Sequence, residues 1–217
     1  SIGGDSGEVM PVVYHPRNVR SHLGDVRGSW VYYASNKRLR SIFDICRKNL
    51  ENGKTDILIE GKDAVCLPLC ISPDEEILLY SRRTSFADLQ IYCKNLLTGE
   101  EKKVSRDLQC AMEDSPVWLE DGSGFYFISD REREFKRVMF WDRKTGLTEE
   151  IYEVNWDVTH IALSGQDRYL AVVVNEDGDS RIHILEAETK REIHIPQIPL
   201  GTIGDEEPVT WSNAKRI

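Results

Sequence analysis

Residues 117–129 read VWLEDGSGFYFIS, which is an apolar strand, a polar turn and a second apolar strand. Residues 69–81 (LCISPDEEILLYS) and 161–173 (IALSGQDRYLAVV) follow the same plan, and a fourth copy begins at Val209. Equivalent apolar positions recur every 45 to 48 residues, at Ile71, Trp118, Leu163 and Trp211. An interval this regular predicts an internal structural repeat.

The second half of each unit repeats as well. An apolar strand precedes a turn that ends in Gly53, Gly99 or Gly146, and these glycines lie 46 and 47 residues apart. The fourth unit carries Lys190 where the glycine would be. Two thiols, Cys46 and Cys93, are 47 residues apart and are therefore predicted to occupy equivalent strand positions.

Each unit is predicted to hold four short strands. In the third unit they are residues 115–119, 124–129, 136–142 and 147–152, where apolar residues alternate and β-branched and aromatic residues are frequent. Four strands in every 40–50 residues are typical of a propeller blade, and neighbouring blades must stack to bury both faces. The sequence thus predicts an all-β fold: a β-propeller of four-stranded antiparallel blades, with about four to five repeats, as a fragment of a larger propeller.

The predicted organisation starts with an N-terminal extension, residues 1–27, in which residues 8–14 are a possible closing strand. Since a blade that stops after its first strand leaves an open edge, we expect the natural chain to continue beyond Ile217. The alternative is that this last segment completes another blade. The propeller occupies residues 28–217, with repeats at about 28–62, 67–106, 114–153 and 157–198 and a partial repeat at 208–217.

Residues 36–53 allow two interpretations. Apolar Leu39, Ile42, Cys46 and Leu50 fall at helical spacing, which taken alone indicates a helix. The repeat alignment instead predicts a strand at residues 42–48. We favour the strand, because tertiary context overrides local pattern.

These units resemble the propeller repeats of TolB-like proteins and of the N-terminal domains of prolyl oligopeptidase-like serine peptidases, including the acylaminoacyl-peptidase-like branch. The resemblance rests on residues 72–74 (SPD), 118–122 (WLEDG), 129–131 (SDR) and 142–146 (DRKTG), and residues 156–178 are similar to the peptidase branch. Residues 163–166 (LSGQ) depart from the motif but can still close a turn.

The resemblance implies a non-catalytic, substrate-gating domain. Its partners would be peptide substrates and a C-terminal α/β-hydrolase domain that is absent from this chain. The alternative is a stand-alone TolB- or WD40-like propeller that serves as a protein–protein interaction module. A third possibility, a propeller enzyme such as a lactonase, finds little support in the distribution of histidine and aspartate.

Composition excludes several classes. The net charge is −9, from 28 basic and 37 acidic residues, which argues against a nucleic-acid partner. No apolar stretch approaches the roughly 18 residues of a membrane span, and the first residues do not read as a signal peptide. The five cysteines include no CxxC pair, so we expect reduced, mostly buried thiols in a cytoplasmic protein.

The sequence assigns no catalytic residue, no cofactor and no metal site. The G-x-S-x-G motif of α/β-hydrolases is absent, and Gly4-Asp5-Ser6-Gly7 has no recognisable histidine or aspartate partner. His183 and His194 are predicted to face each other across a hairpin, where they could share a metal or simply be half-exposed strand residues, with no carboxylate placed to complete a site.

Two charged loops and a set of aromatic residues are explained by structure without a functional role. Residues 175–180 (NEDGDS) could bind calcium but are more typical of a hairpin turn, and residues 130–134 (DRERE) are expected to be solvated. Large aromatic residues on the predicted strands are expected to pack in the core or between blades before serving any ligand. They are Trp118, Tyr126, Phe127, Phe140, Trp141, Tyr152 and Trp156.

Overall fold

The computed structural model describes residues 2–3, 9–10, 12–13, 19–105, 109–196 and 201–203. Sixteen of its strands form four four-stranded sheets, which we call blades I to IV. Blade I holds β3 (Ser21–Arg27), β4 (Trp30–Leu39), β5 (Ile42–Asn49) and β6 (Thr55–Ile59), and blade II holds β7 (Val65–Ile71), β8 (Ile77–Ser85), β9 (Asp88–Asn95) and β10 (Glu101–Lys103). Blade III holds β11 (Glu113–Trp118), β12 (Gly124–Ser129), β13 (Arg137–Asp142) and β14 (Thr148–Tyr152), and blade IV holds β15 (Asp157–Leu163), β16 (Tyr169–Glu176), β17 (Asp179–Glu186) and β18 (Arg191–Ile193).

In every blade the four strands follow one another as an antiparallel meander. The chain is therefore a β-propeller, and the predicted all-β class with four-stranded blades is confirmed. The predicted strands of the third unit agree with β11 to β14 within two residues at each end. Residues 42–48 form a strand as the repeat alignment predicts, since β5 spans Ile42–Asn49.

The remaining predictions about domain organisation concern the two ends of the chain. Blade I starts with Ser21–Arg27, seven residues before the predicted first repeat at 28. Within the predicted closing strand at 8–14, β2 (Val9–Met10) pairs with β1 (Ile2–Gly3). The partial repeat at 208–217 lies outside the described residues and stays a prediction.

The core lies between blades, because the second strand of each blade is buried on both faces. Alternate side chains of such a strand pack against the preceding and the following blade. Between blades II and III the cluster includes Leu79, Ile91, Phe125, Phe127 and Trp141. A second cluster joins blades I and II, and a third joins blades III and IV.

One register prediction is wrong. Cys46 lies opposite Tyr33 of β4, and the residue opposite the corresponding Tyr80 of β8 is Tyr92, not Cys93. A shift of one residue moves a side chain to the other face of a sheet. Cys46 consequently packs on the face of blade I with Val31 and Tyr33, whereas Cys93 packs between blades II and III.

The turn from the third to the fourth strand is the same in all four blades. In three of them, a side-chain oxygen at its first residue accepts a hydrogen bond from the backbone N–H three residues later, over 3.0 Å at Asn49, 2.8 Å at Asn95 and 2.6 Å at Asp142. The fifth residue has a positive φ, which is 64° at Gly146 and 59° at Lys190. Lys190 thus holds a backbone conformation that favours glycine.

Replacing Lys190 by glycine is expected to raise the free energy of unfolding by about 1 kcal/mol, because a side chain in the left-handed region is strained. The ion pair that Lys190 makes with Glu149, at 2.6 Å, is exposed and contributes little. Urea unfolding of the two proteins measures the difference. Gly99→Ala is the converse control, because φ is +77° there and no atom lies within 4 Å of an added Cβ. A Lys190→Gly variant with the same free energy of unfolding as the parent protein would contradict the expectation.

Candidate functional site

The first strands of the blades lie side by side and define the axis of the propeller. A Cβ added to Gly24 of β3 would lie 2.6 Å from Pro68 Cγ of β7, so the two strands approach closely. Asp25 Oδ2 accepts a hydrogen bond from the Ile71 N–H at 2.9 Å, and Cys70 Sγ lies 3.7 Å from Pro116 O. Polar contacts therefore link the inner strand of each of these blades to the next.

A β-bulge interrupts every inner strand at the same level. The register shifts fall between Leu23 and Asp25, Pro68 and Cys70, Asp114 and Val117, and Val158 and His160. A bulge increases strand twist and redirects a side chain. Sequence reasoning missed these bulges, although Pro116 inside the predicted strand 115–119 was a usable signal.

A cleft of about 450 Å³ opens at the end of the axis where the inner strands turn into the second strands. Its wall includes Cys70, Pro73 and Trp118, while Arg27 and Glu120 bring opposite charges to its edge. Burial raises the pKa of the Cys70 thiol, which keeps it protonated and unsuited to act as a nucleophile. The Cys70 thiol is therefore not a candidate nucleophile in this cleft.

The hairpin that carries the two histidines has the predicted register, since Ile184 pairs with Ile193, and His194 is the residue after the end of β18. The prediction that no carboxylate lies nearby is wrong. His183 Nδ1 lies 2.7 Å from Glu192 Oε1, and His183 Nε2 lies 3.8 Å from Glu176 Oε1. Sequence reasoning placed no carboxylate here, because both glutamates reach His183 only once the hairpins pair. Among the described residues, no three histidine, cysteine or acidic side chains converge as metal ligands would.

The two charged loops differ from one another. Asp177 and Gly178 form the tight turn between β16 and β17, with positive φ at both, so the hairpin interpretation of residues 175–180 is confirmed. The solvated interpretation of residues 130–134 is wrong for Arg131. Its guanidinium is buried and lies 2.7 Å from the fully buried Glu113 carboxylate. The pair formed because the loop folds back over the start of β11.

The aromatic residues pack mainly as predicted. Trp118 and Trp141 contact Phe125, with ring centroids 5.0 and 5.1 Å apart, in the cluster between blades II and III. Trp156 is the exception: it is 41% exposed and lies near Phe135. The Gly4-Asp5-Ser6-Gly7 stretch lies outside the described residues.

All five cysteines are free, and Cys46, Cys66 and Cys93 are buried. Burial raises the pKa of Cys46 to about 11 and that of Cys93 to about 12. The expectation that the thiols are mostly buried is therefore confirmed, with Cys110 as the exposed member. In the described part of the chain, no helix is both long and apolar enough to cross a membrane.

Solved structures share this architecture. TolB from Acinetobacter baumannii is 19% identical with a TM-score of 0.59, over 76% of this chain and 40% of that one. A prolyl endopeptidase is 16% identical with a TM-score of 0.66, over 80% of this chain and 27% of that one. A puromycin-hydrolysing peptidase from Mycobacterium tuberculosis is 16% identical with a TM-score of 0.65, over 82% and 31%.

The likeness establishes the propeller fold at these low identities, and the chain spans well under two thirds of the length of each of the three proteins. No protein-family model matches the sequence, and no curated protein matches it.

Proposed function

We propose that this chain is the non-catalytic, substrate-gating propeller of a prolyl oligopeptidase-like serine peptidase. The observation that carries the proposal is the convergence of the inner strands on an axial cleft, in a fold shared with two peptidases. The nucleophile would belong to an α/β-hydrolase domain outside these residues. The free thiols suit a reducing compartment, so we place the protein in the cytoplasm.

The gate would act by size. Because β3 and β7 are packed in direct contact at Gly24 and Pro68, a substrate would pass along the axis that the inner strands flank, and a channel of this kind would admit an extended peptide and exclude a folded protein. The opposite charges of Arg27 and Glu120 at its mouth would bind the polar groups of such a peptide. Hydrolysis behind this passage would therefore be confined to short or unfolded substrates.

The decisive experiment is to determine the natural coding sequence beyond the codon for Ile217 and to treat the full protein with a fluorophosphonate. We expect a G-x-S-x-G elbow, later Asp and His residues, and covalent labelling of the elbow serine. Full protein that has not been treated with the fluorophosphonate should cleave a short peptide at least ~10-fold faster than the same peptide embedded in a folded protein, since only the free peptide avoids the cost of unfolding its host. A coding sequence that ends near Ile217, or a full protein that resists labelling, would refute the proposal.

A protein–protein interaction module is the second candidate. The hairpin between β8 and β9 presents Phe86 at 96% exposure, and exposed Trp156 lies on the same side of the propeller. Exposed aromatic side chains are frequent anchors of protein interfaces. This function predicts a partner in pull-downs that the double variant Phe86→Ala/Trp156→Ala loses, from a gene without a hydrolase domain.

A further inference from the structure

A second cleft, of about 580 Å³, lies between blades II and III at the level of the turns into their outer strands. Its floor is formed by Ile77, Cys93 and Trp141, all of which are buried members of the core between these blades. The cleft is separate from the axial one, since the two share no lining residue. Its apolar floor offers a large side chain a surface against the Trp141 ring.

The wall of this cleft is cationic. Lys102, Lys103, Arg143 and Lys144 line it, against the single carboxylate of Glu100. This excess of positive charge is unusual in a chain whose net charge is −9. The turns between the first and second strands of blades II to IV carry acidic residues instead: Asp74, Glu75, Glu76, Glu120, Asp121 and Asp167.

Three of these cations have different roles. Arg143 is held by Asp74 Oδ2 at 2.6 Å and by Glu76 Oε2 at 2.9 Å, so these two carboxylates outweigh its charge and the lysines supply the positive charge that a ligand meets. Lys102 pairs with Glu100 at 3.0 Å, and both side chains are largely exposed. Such exposed pairs are weak, so a ligand carboxylate can replace Glu100.

Lys144 stands on a rigid support. It belongs to the turn after β13, where Asp142 Oδ1 accepts hydrogen bonds from the Thr145 N–H at 2.6 Å and from the Thr145 hydroxyl at 2.7 Å. The positive field of the wall also reaches the floor, because Lys102 and Arg143 oppose the rise that burial causes in the pKa of Cys93. An anion in the cleft would therefore enter a favourable potential.

We propose that this cleft binds an acidic peptide segment, with one large apolar side chain against Trp141 and flanking carboxylates on Lys102 and Lys144. Both parts of the motif are needed, since the floor is apolar and the wall is cationic. The volume suits a pocket of this kind. The acidic turns at this end of blades III and IV disfavour placement of the same peptide there. The inference does not depend on the peptidase proposal.

The test is fluorescence anisotropy of a labelled peptide, Glu-Glu-Phe-Glu-Glu with blocked ends, titrated with the full chain. The double variant Lys102→Glu/Lys144→Glu is expected to weaken binding at least ~10-fold, because each carboxylate then meets a like charge. The matched control is Lys62→Glu/Arg83→Glu, which changes the net charge equally at exposed positions away from the cleft. The control is expected to bind like the parent protein. Thermal unfolding of both variants verifies that they fold.

A second readout locates the apolar side chain. The peptide is expected to change the tryptophan fluorescence of the parent protein, and Trp141→Phe is expected to remove that change while retaining binding. Three results would overturn the proposal, because each indicates a non-specific charge effect. They are an equal loss of peptide affinity in both charge variants, equal affinity for a peptide with lysine in place of each glutamate, and displacement of the acidic peptide by polyphosphate as effectively as by the unlabelled peptide. A fluorescence change that persists in Trp141→Phe would overturn the assigned floor.

Discussion

Replacing Arg131 by methionine is expected to lower the free energy of unfolding by about 3–5 kcal/mol, because it leaves a buried carboxylate without its cation. Glu113 is fully buried and lies 2.7 Å from Arg131 Nη2. The same carboxylate accepts hydrogen bonds from the Ile91 N–H at 3.0 Å and from the Ser105 hydroxyl. Ile91 belongs to blade II and Glu113 to blade III, so the loss also weakens the contact between blades.

Urea unfolding followed by tryptophan fluorescence measures the effect. The matched control is Arg133→Met in the same loop, where a half-exposed guanidinium pairs with Glu153 at 3.2 Å. That substitution should change the free energy of unfolding by less than about 0.5 kcal/mol. The double variant Arg131→Met/Glu113→Leu should recover part of the lost stability, since neither partner then remains charged and buried. Equal effects of Arg131→Met and Arg133→Met would contradict the assigned ion pair.

The fold was predictable because the repeat carries redundant information. Ile71, Trp118 and Leu163 pair with Leu78, Phe125 and Leu170 in the same way in three blades. The strand at β5 shows the value of this redundancy, because its local spacing alone indicated a helix. Side chains such as Ile45 and Cys46 fall on both faces of β5 because both faces of the blade are covered.

The repeat period was less informative about register. The positions of one-residue insertions differ between units, and a shift of one residue moves each side chain of a strand to the opposite face of the sheet. This is why Cys46 and Cys93, although separated by a full repeat, pack on opposite faces of their blades. The bulges of the inner strands differ in this respect, since they recur at the same level in all four blades and change the local pairing without changing the overall spacing.

The candidate sites depend on contacts that sequence distance hides. The 130–134 loop looked like a solvated charge run because Glu113 and Ser105, which complete its buried cluster, lie in other parts of the chain. The cationic cleft likewise joins Lys102 of β10 to Lys144 of the turn after β13. Only the stacking of blades II and III brings these lysines together.

The second large effect concerns the core between those blades. Replacing Phe125 by alanine is expected to lower the free energy of unfolding by about 3–5 kcal/mol, from lost burial and from the cavity left behind. Its ring is fully buried and lies within 6 Å, centroid to centroid, of three others: Trp118 at 5.0 Å, Trp141 at 5.1 Å and Phe127 at 5.8 Å. Those aromatic contacts all lie within blade III and stabilise that blade beyond the buried area alone.

Phe86→Ala is the matched control, because it removes the same atoms from a side chain that is 96% exposed. We expect its free energy of unfolding to stay within about 0.5 kcal/mol of the parent value. The comparison separates the intrinsic effect of the substitution from that of blade packing, since only Phe125 joins two blades. Should both variants unfold at the same urea concentration, the cluster between blades II and III would not be the core of this propeller. A selective loss in Phe125→Ala would show that stability resides where blades meet, which is what a propeller requires because a single blade cannot cover both of its faces.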